Sequence, residues 1–154
     1  MVLVVYGDYQ CPHCRHAHPL IKQIEKEFSK EILFVFRNFP LAEIHPFAKL
    51  AASAAEAAGK QNKFWQMHDI IFENQYQLET ESFLDFAKTL NLIREQFEED
   101  LQSKAIVSKI ERDFESGVRS GVNGTPTFFL NGTRLNSYNG NYESLKDPIA
   151  KIMG

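Results

Sequence analysis

The sequence predicts an α/β fold in which an N-terminal β-α-β unit and a C-terminal β-β-α unit flank a helical insertion of three to four helices. Three observations carry this expectation. Two short apolar runs, 2–6 and 32–38, bracket a stretch with helical periodicity. The middle of the chain repeats apolar residues at helical steps for nearly eighty residues, 42–119. Asn131-Gly132 then joins two more β runs before a last helical pattern, a strong hairpin signal. The expected division is 1–41 and 120–154 as the α/β core and 42–119 as the insertion. No flexible linker flanks the insertion, so a single domain over 1–154 is expected.

Residues 2–6 (Val-Leu-Val-Val-Tyr) read as a strand buried on both faces. A helix follows from about Pro12 to Ser29, apolar at Ala17, Leu20, Ile21, Ile24 and Phe28 and charged at Lys22, Glu25 and Lys26. Pro12 suits the first turn, whereas Pro19 removes a hydrogen bond and predicts a kink. The run 32–38 is the second strand; joined by a helix, the two strands make a right-handed parallel unit.

In the insertion, Pro46 to Ala58 is alanine-rich and stops at Gly59, with His45-Pro46 as its start. Residues 61–74 form an amphipathic helix in which Phe64, Trp65 and Phe72 read as core and His68 as a satisfied or surface histidine. Thr80–Leu90 is a third helix, and 94–119 reads as one long helix ended by Gly121, with Glu95–Asp100 on its solvated face. After it, 127–130 and 133–138 are strands, and Tyr142–Met153 closes as a helix.

Composition narrows the function. The chain has 17 basic and 20 acidic residues, a net charge of -3, and 44% hydrophobic residues including thirteen Phe. That balance gives no footprint for a nucleic-acid or anionic-membrane partner. No apolar stretch is long enough to span a membrane, and no secretory signal precedes the first strand.

The chemistry is concentrated in Cys11-Pro12-His13-Cys14, the only two cysteines of the chain. Two thiols at that spacing close a disulfide with little backbone movement. Lying between a strand and a helix, Cys11 falls at a helix N-terminus, where unpaired N–H groups favour a thiolate. Cys11, taking those groups and the exposed rim, is the expected attacking sulfur. Cys14, one turn further in and more buried, is the expected resolving thiol. Pro12 preorganises the turn, and His13 adds positive charge beside the thiolate, so both are expected to tune the couple. Zinc is the competing ligand, helped by His13, His16 and His18. However, His16 and His18 point to different helix faces, and no four-donor set is completed, so no metal and no cofactor are expected.

A second constellation is Gly121-Val122-Asn123-Gly124-Thr125-Pro126-Thr127. An ordinary loop-to-strand junction explains it; a cis Thr125–Pro126 bond is the functional alternative, because cis bonds are confined almost wholly to X-Pro.

With these motifs in order, the chain resembles the DsbA-like branch of the thioredoxin superfamily. The likeness rests on Asp8-Tyr9-Gln10-Cys11-Pro12-His13-Cys14, Arg37-Asn38-Phe39-Pro40-Leu41, the helical insertion, and Gly124-Thr125-Pro126-Thr127-Phe128-Phe129 with Asn131-Gly132. The resemblance implies a thioredoxin-like fold, Cys11 as nucleophile, Cys14 as resolving thiol, and a cis Pro126 beside the disulfide. Thr125 and Pro126 would then bind an extended substrate peptide, and Pro19 would be the family's kink proline. One departure stands out. Such enzymes usually carry a buried carboxylate six residues before the first cysteine, and that position is Val5. Asp8 reads as lying on the wrong face to replace it.

The resemblance implies a thiol–disulfide oxidoreductase exchanging a Cys11–Cys14 disulfide with protein dithiols or disulfides through a mixed disulfide. The alternatives are a peptide-binding or chaperone module of the same fold, or a metal-binding protein using Cys11 and Cys14. Expected partners are protein or peptide thiols and disulfides and an unidentified redox recycling partner, with no nucleic acid and no membrane insertion. The expected state is a monomer or weak dimer, since a missing N-terminal strand bares a sheet edge. Taken as a native start, Met1 suggests a cytoplasmic protein; a trimmed mature domain would be extracytoplasmic or periplasmic.

Overall fold

The computed structural model describes residues 1–154. In order, the elements are β1 (Val2–Gly7), α1 (Pro12–Glu27), β2 (Leu33–Asn38), α2 (Ala48–Gly59), α3 (Phe64–Glu73), α4 (Thr80–Thr89), α5 (Arg94–Leu101), α6 (Lys104–Arg119), β3 (Thr127–Leu130), β4 (Thr133–Arg134) and α7 (Tyr142–Met153). A single 3-10 turn, Gln75–Gln77, links α3 to α4. The sheet order is β2-β1-β3-β4. β1 is central, parallel to β2 with Val5 opposite Phe36, and antiparallel to β3 with Val5 opposite Phe128.

Because β1 is apolar at every position from Val2 to Tyr6, both its faces are usable for packing. Leu3 and Val5 join Ala17, Ile21 and Ile24 of α1 and Leu145 and Ile149 of α7 in the main core. On the other face Tyr6 and Phe39 pack with Phe114 of α6, whose ring stacks on Phe39 at 4.3 Å. Gly117 of α6 is required at this crossing: a Cβ there would lie 2.7 Å from the Phe39 ring and 3.0 Å from Tyr6.

The β-α-β and β-β-α units stand where the sequence puts them, and four of the details differ. The 94–119 segment is two helices, because the Ser103 hydroxyl accepts from the Ile106 N–H and starts α6 afresh, so the insertion holds five α-helices. Gly59 is the last residue of α2 and not its stop; the left-handed position is Asn62 (φ 62), after which the Lys63 N–H closes on Ala58 O at 2.9 Å. α2 begins at Ala48, later than His45-Pro46, since His45 is held instead by Asp8. β4 ends at Arg134 because the chain turns back there to lay Tyr138 on Phe128, with ring centroids 4.7 Å apart.

The hairpin turns at Asn131 and Gly132, both at positive φ (48 and 84) as an Asn-Gly turn requires. With β1 central, β2 is an edge strand of the sheet. The insertion meets that edge: the Asp113 carboxylate of α6 accepts from the Asn38 N–H at 3.1 Å and its side-chain amide at 2.9 Å. Lys109 pairs with Asp113 at 2.6 Å and with Glu56 at 3.0 Å, tying α6, α2 and the end of β2 together.

Candidate active site

Beyond β1 the chain must turn sharply into α1, and Asp8 makes the turn. Its carboxylate accepts from the Gln10 N–H at 2.8 Å and its carbonyl from the Cys11 N–H at 3.1 Å. The other carboxylate oxygen takes the Leu41 N–H at 2.9 Å and the His45 Nδ1 at 2.7 Å, so Asp8 is 1% exposed and fully engaged. From the insertion, Gln75 Nε2 donates to Tyr9 O at 2.8 Å and to Cys11 O at 2.9 Å. The loop carrying the first thiol is therefore fixed from both sides.

Cys11 is the N-cap of α1, with Pro12 in the first turn and no side-chain cap to occupy the free N–H groups. The Cys11 thiol is lowered from 9.0 to about 5, first by a hydrogen bond from the Cys14 thiol, then by the Thr125 side chain and the backbone N–H groups of Cys14 and His13, against burial, which raises it. Cys14 is pushed well above its ordinary value, first by burial and then by its bond to Cys11 and the Cys11 charge. Both cysteines are free thiols. Their environments thus split two identical groups into a thiolate and a protonated thiol at neutral pH.

The expectation of an exposed rim for Cys11 needs correction. Cys11 keeps 5% of its surface and Cys14 4%. The cover over Cys11 is thin, since Pro12 and His13 beside it are exposed and Gly124, Thr125 and Pro126 are only half-buried. Cys14, by contrast, faces inward on α1 with Ala17, His18 and Ile21 and takes the Asp8 N–H at 3.5 Å.

Thr125 meets the pair from the loop before β3. The Thr125–Pro126 bond is cis, and the Cys11 thiol lies 3.5 Å from the Thr125 carbonyl. The Thr125 hydroxyl is buried without a hydrogen-bond partner in the fold, and its proximity lowers both thiols. Thus Cys11, Cys14, Thr125 and Pro126 come together, although 114 residues separate Cys11 from Thr125. Pro12 and His13 stand at the exposed tip, and the His13 side chain forms no hydrogen bond within the chain; its contribution to Cys11 here is its backbone N–H.

Other residues fall differently from expectation. Neither thiol belongs to a group of three metal-type donors. The one such group is His18, His68 and Asp69, where Lys22 Nζ already holds Asp69 at 2.9 Å and Tyr9 holds His68 at 2.8 Å. Trp65 is 43% exposed rather than core, edge-on to Phe64. His68 is buried and satisfied, and Val5 is an apolar core residue at 2% exposure. Sequence reasoning missed Gln75, a lone amide in the 3-10 turn with no motif around it, and the pairing of buried His18 with the half-buried Asp69. The Asp8-x-Gln10 turn pattern was the readable sign of the loop anchor.

The larger hollows on the surface, of about 550 and 880 Å³, are lined by no residue of 8–14 or 124–127. Cys14 lines only a cavity of about 10 Å³ beneath the pair.

A family profile described as Thioredoxin matches residues 1–151. Among solved structures, BdbD from Bacillus subtilis in its oxidised form superposes with a TM-score of 0.84 at 28% identity, covering 99% of this chain and 88% of that one. The thiol-disulfide exchange protein α-DsbA2 from Wolbachia pipientis shares the fold with a TM-score of 0.84 at 22% identity, over 98% of this chain and 81% of that one. Among curated relatives, the Na(+)/H(+) antiporter NhaA 1 of Salinispora arenicola is 41% identical over 140 residues, 90% of this chain and 21% of that protein. The NhaA antiporter of Herminiimonas arsenicoxydans is 39% identical over 135 residues, 88% and 21% respectively. The chain spans about a fifth of the length of these antiporters.

Proposed function

We propose that this chain, which belongs to the thioredoxin family, is a DsbA-like thiol–disulfide oxidoreductase whose exchange runs through a mixed disulfide that Cys11 forms and Cys14 resolves. The observation that carries this reading is the split pair: a thiol at about 5 beside one held well above its ordinary value. In the oxidising direction a substrate thiolate attacks Cys11 Sγ of the disulfide, and Cys14 leaves as the thiolate. A second substrate thiolate then attacks the substrate sulfur and releases Cys11, the better leaving group because its pKa is lower. In reverse, Cys11 attacks a disulfide and Cys14 resolves the adduct. Thr125 and Pro126 form the wall against which the substrate chain lies extended, the Thr125 N–H having no partner within the fold.

Stabilising the Cys11 thiolate stabilises the dithiol and makes the disulfide a stronger oxidant. That favours disulfide donation to protein or peptide dithiols in an oxidising, extracytoplasmic compartment, with a separate partner reoxidising the pair. In a cytoplasmic glutathione poise of about -220 to -320 mV the pair would stand reduced and act as a reductant. No helix is long and apolar enough to cross a membrane. The relatives named as NhaA antiporters suggest that a domain of this kind works beside a membrane protein.

Trapping tests the assignment. Incubated with a dithiol peptide oxidised to its disulfide, the Cys14→Ser variant should accumulate a Cys11–peptide adduct, stable to acid and released by dithiothreitol. Cys11→Ser should form none. Equal adducts on both variants would remove the distinction between attacking and resolving sulfur, and no adduct on either would overturn the exchange reading.

A further inference from the structure

We propose that His18, backed by Asp69, carries the proton of Cys14 in and out of the buried site; this rests on the exchange reading above. To resolve a mixed disulfide, Cys14 must first lose the proton of its S–H bond. That group is sealed inside, and Val5 at the usual acid position cannot take the proton. Asp8 offers Cys14 only its backbone N–H, its carboxylate being held by Gln10, Leu41 and His45.

Under Cys14 lies a cavity of about 10 Å³, near the lower limit of roughly 10–15 Å³ that one water needs. Its lining is apolar except for Cys14 itself and two histidines, His18 and His68. Cys14 and His18 are four residues apart on α1 and so share its inward face. His68 Nδ1 is bonded to the Tyr9 hydroxyl, and the ring is packed against Phe36, Phe64 and Phe72; burial, with the His18 and Lys22 charges, holds it well below its ordinary value and so neutral. His18 is also lowered by burial, but Asp69 pulls in the opposite direction, its Oδ1 lying 3.4 Å from His18 Nε2. An N–H at Nε2 directed at Asp69 leaves Nδ1 as the basic nitrogen.

Of the two histidines, only His18 has a carboxylate to stabilise its imidazolium. Only this pair leads outward: Asp69 is 27% exposed and is bonded to the half-exposed Lys22. The remaining ionisable neighbours do not compete. Lys22 on α1 is protonated and raises the cost of charging His18, and Glu25 interacts with Lys22 and Asp69 and not with His18. Tyr138, in the segment before α7, is a phenol raised by burial and by the Cys14 charge, so it stays protonated near neutral pH and cannot take the Cys14 proton.

The step balances without a cofactor. The Cys14 S–H bond breaks, its proton passes to His18 directly or through one water, and the electron pair stays on Cys14 Sγ. That thiolate attacks Cys11 Sγ, the Cys11–substrate S–S bond breaks, and the substrate leaves as a thiolate. Asp69 holds the imidazolium until solvent takes the proton. Run backwards, His18 returns a proton to the Cys14 thiolate released when a substrate opens the disulfide.

Stopped-flow reaction of the reduced protein with dithiobis(nitrobenzoate) separates the steps, because each releases one coloured thiolate. The first phase is Cys11 attack and the second is Cys14 resolution. In His18→Gln and Asp69→Asn the first phase should be unchanged and the second slowed by about a hundredfold between about pH 6 and 8, the lower end of the range of general acid–base catalysis. In the variants its rate should also climb nearly tenfold per pH unit, as hydroxide replaces the lost base. A merely structural role for His18 would not produce that profile. Should His18→Gln fail to fold, Asp69→Asn at the outer end of the pair decides alone. An unchanged second phase in the folded variants overturns the proposal. Loss of the first phase in the unaltered protein would instead sink the exchange reading.

Discussion

Cys11 and Cys14 are chemically identical, and their separation into a thiolate and a proton holder comes first from the hydrogen bond that the Cys14 thiol gives Cys11 and then from three features around the pair. The free N–H groups of the first helical turn lie on Cys11, the Thr125 hydroxyl is buried without a partner in the fold, and the protein interior surrounds Cys14. Alkylation of the reduced protein by iodoacetamide should therefore label Cys11 first, with a rate that levels off above about pH 6 and an inflection at about 5. Cys14 should stay unlabelled, and equal slow labelling of both would contradict the assignment. Thr125→Val removes the hydroxyl but keeps the shape, so the inflection should move upward; an unmoved inflection would leave Thr125 with a packing role only. His13→Ser should lower the reduction potential if its imidazole adds charge near the sulfur, and an unchanged potential would make it a spacer. At this scale the sequence was informative because the cysteine spacing, the flanking strand and helix, and the loop proline are all local signals. Gln75 and Asp69 were not legible, since each acts through a contact made only after α3 folds back onto α1.

Among the elements, the strands were readable from continuous apolar runs and the hairpin from Asn131-Gly132. Helix boundaries were less so, because periodicity continues across a break. Ile106 and Ile110 keep step with Phe97 and Leu101, so only the cap at Ser103 marks a new helix, and a serine is ambiguous without its hydrogen bond. Ser103→Ala should cost about 1 kcal/mol in urea unfolding, the usual worth of such a cap. No loss at all would mean that α6 starts without its help. Gly117 makes a sharper test, since helix propensity alone says that alanine should stabilise. Its Cβ would overlap Phe39 and Tyr6 at the crossing of α6 and the sheet. Gly117→Ala should thus destabilise by about 1–3 kcal/mol through overpacking; a gain in stability would show that α6 can shift outward freely.

For the whole molecule, the consequence of the split pair is a stability that depends on redox state and pH. The folded Cys11 thiol, at about 5, lies below its ordinary value of 9.0. Its contribution to the dithiol form is therefore complete above about pH 9, declines as the pH falls, and is gone once the pH passes below about 5. The disulfide form carries no such term. Urea unfolding of the two forms should show the dithiol advantage growing from about pH 5 to pH 9. A gap independent of pH would deny the thiolate its role. The insertion contributes to the same property at a distance, because Gln75 fixes the Cys11 carbonyl while Asp113 and Lys109 bind α6 to the end of β2.

The reduction potential of the Cys11–Cys14 couple measured against pH addresses the central claim most directly. If Cys11 is reduced to a thiolate and Cys14 to a thiol, two electrons bring in one proton, and the potential should fall by about 30 mV per pH unit from just above pH 5 to beyond pH 8. A fall of about 59 mV per unit across that range, two protons for two electrons, would mean that both thiols are protonated and would contradict the account.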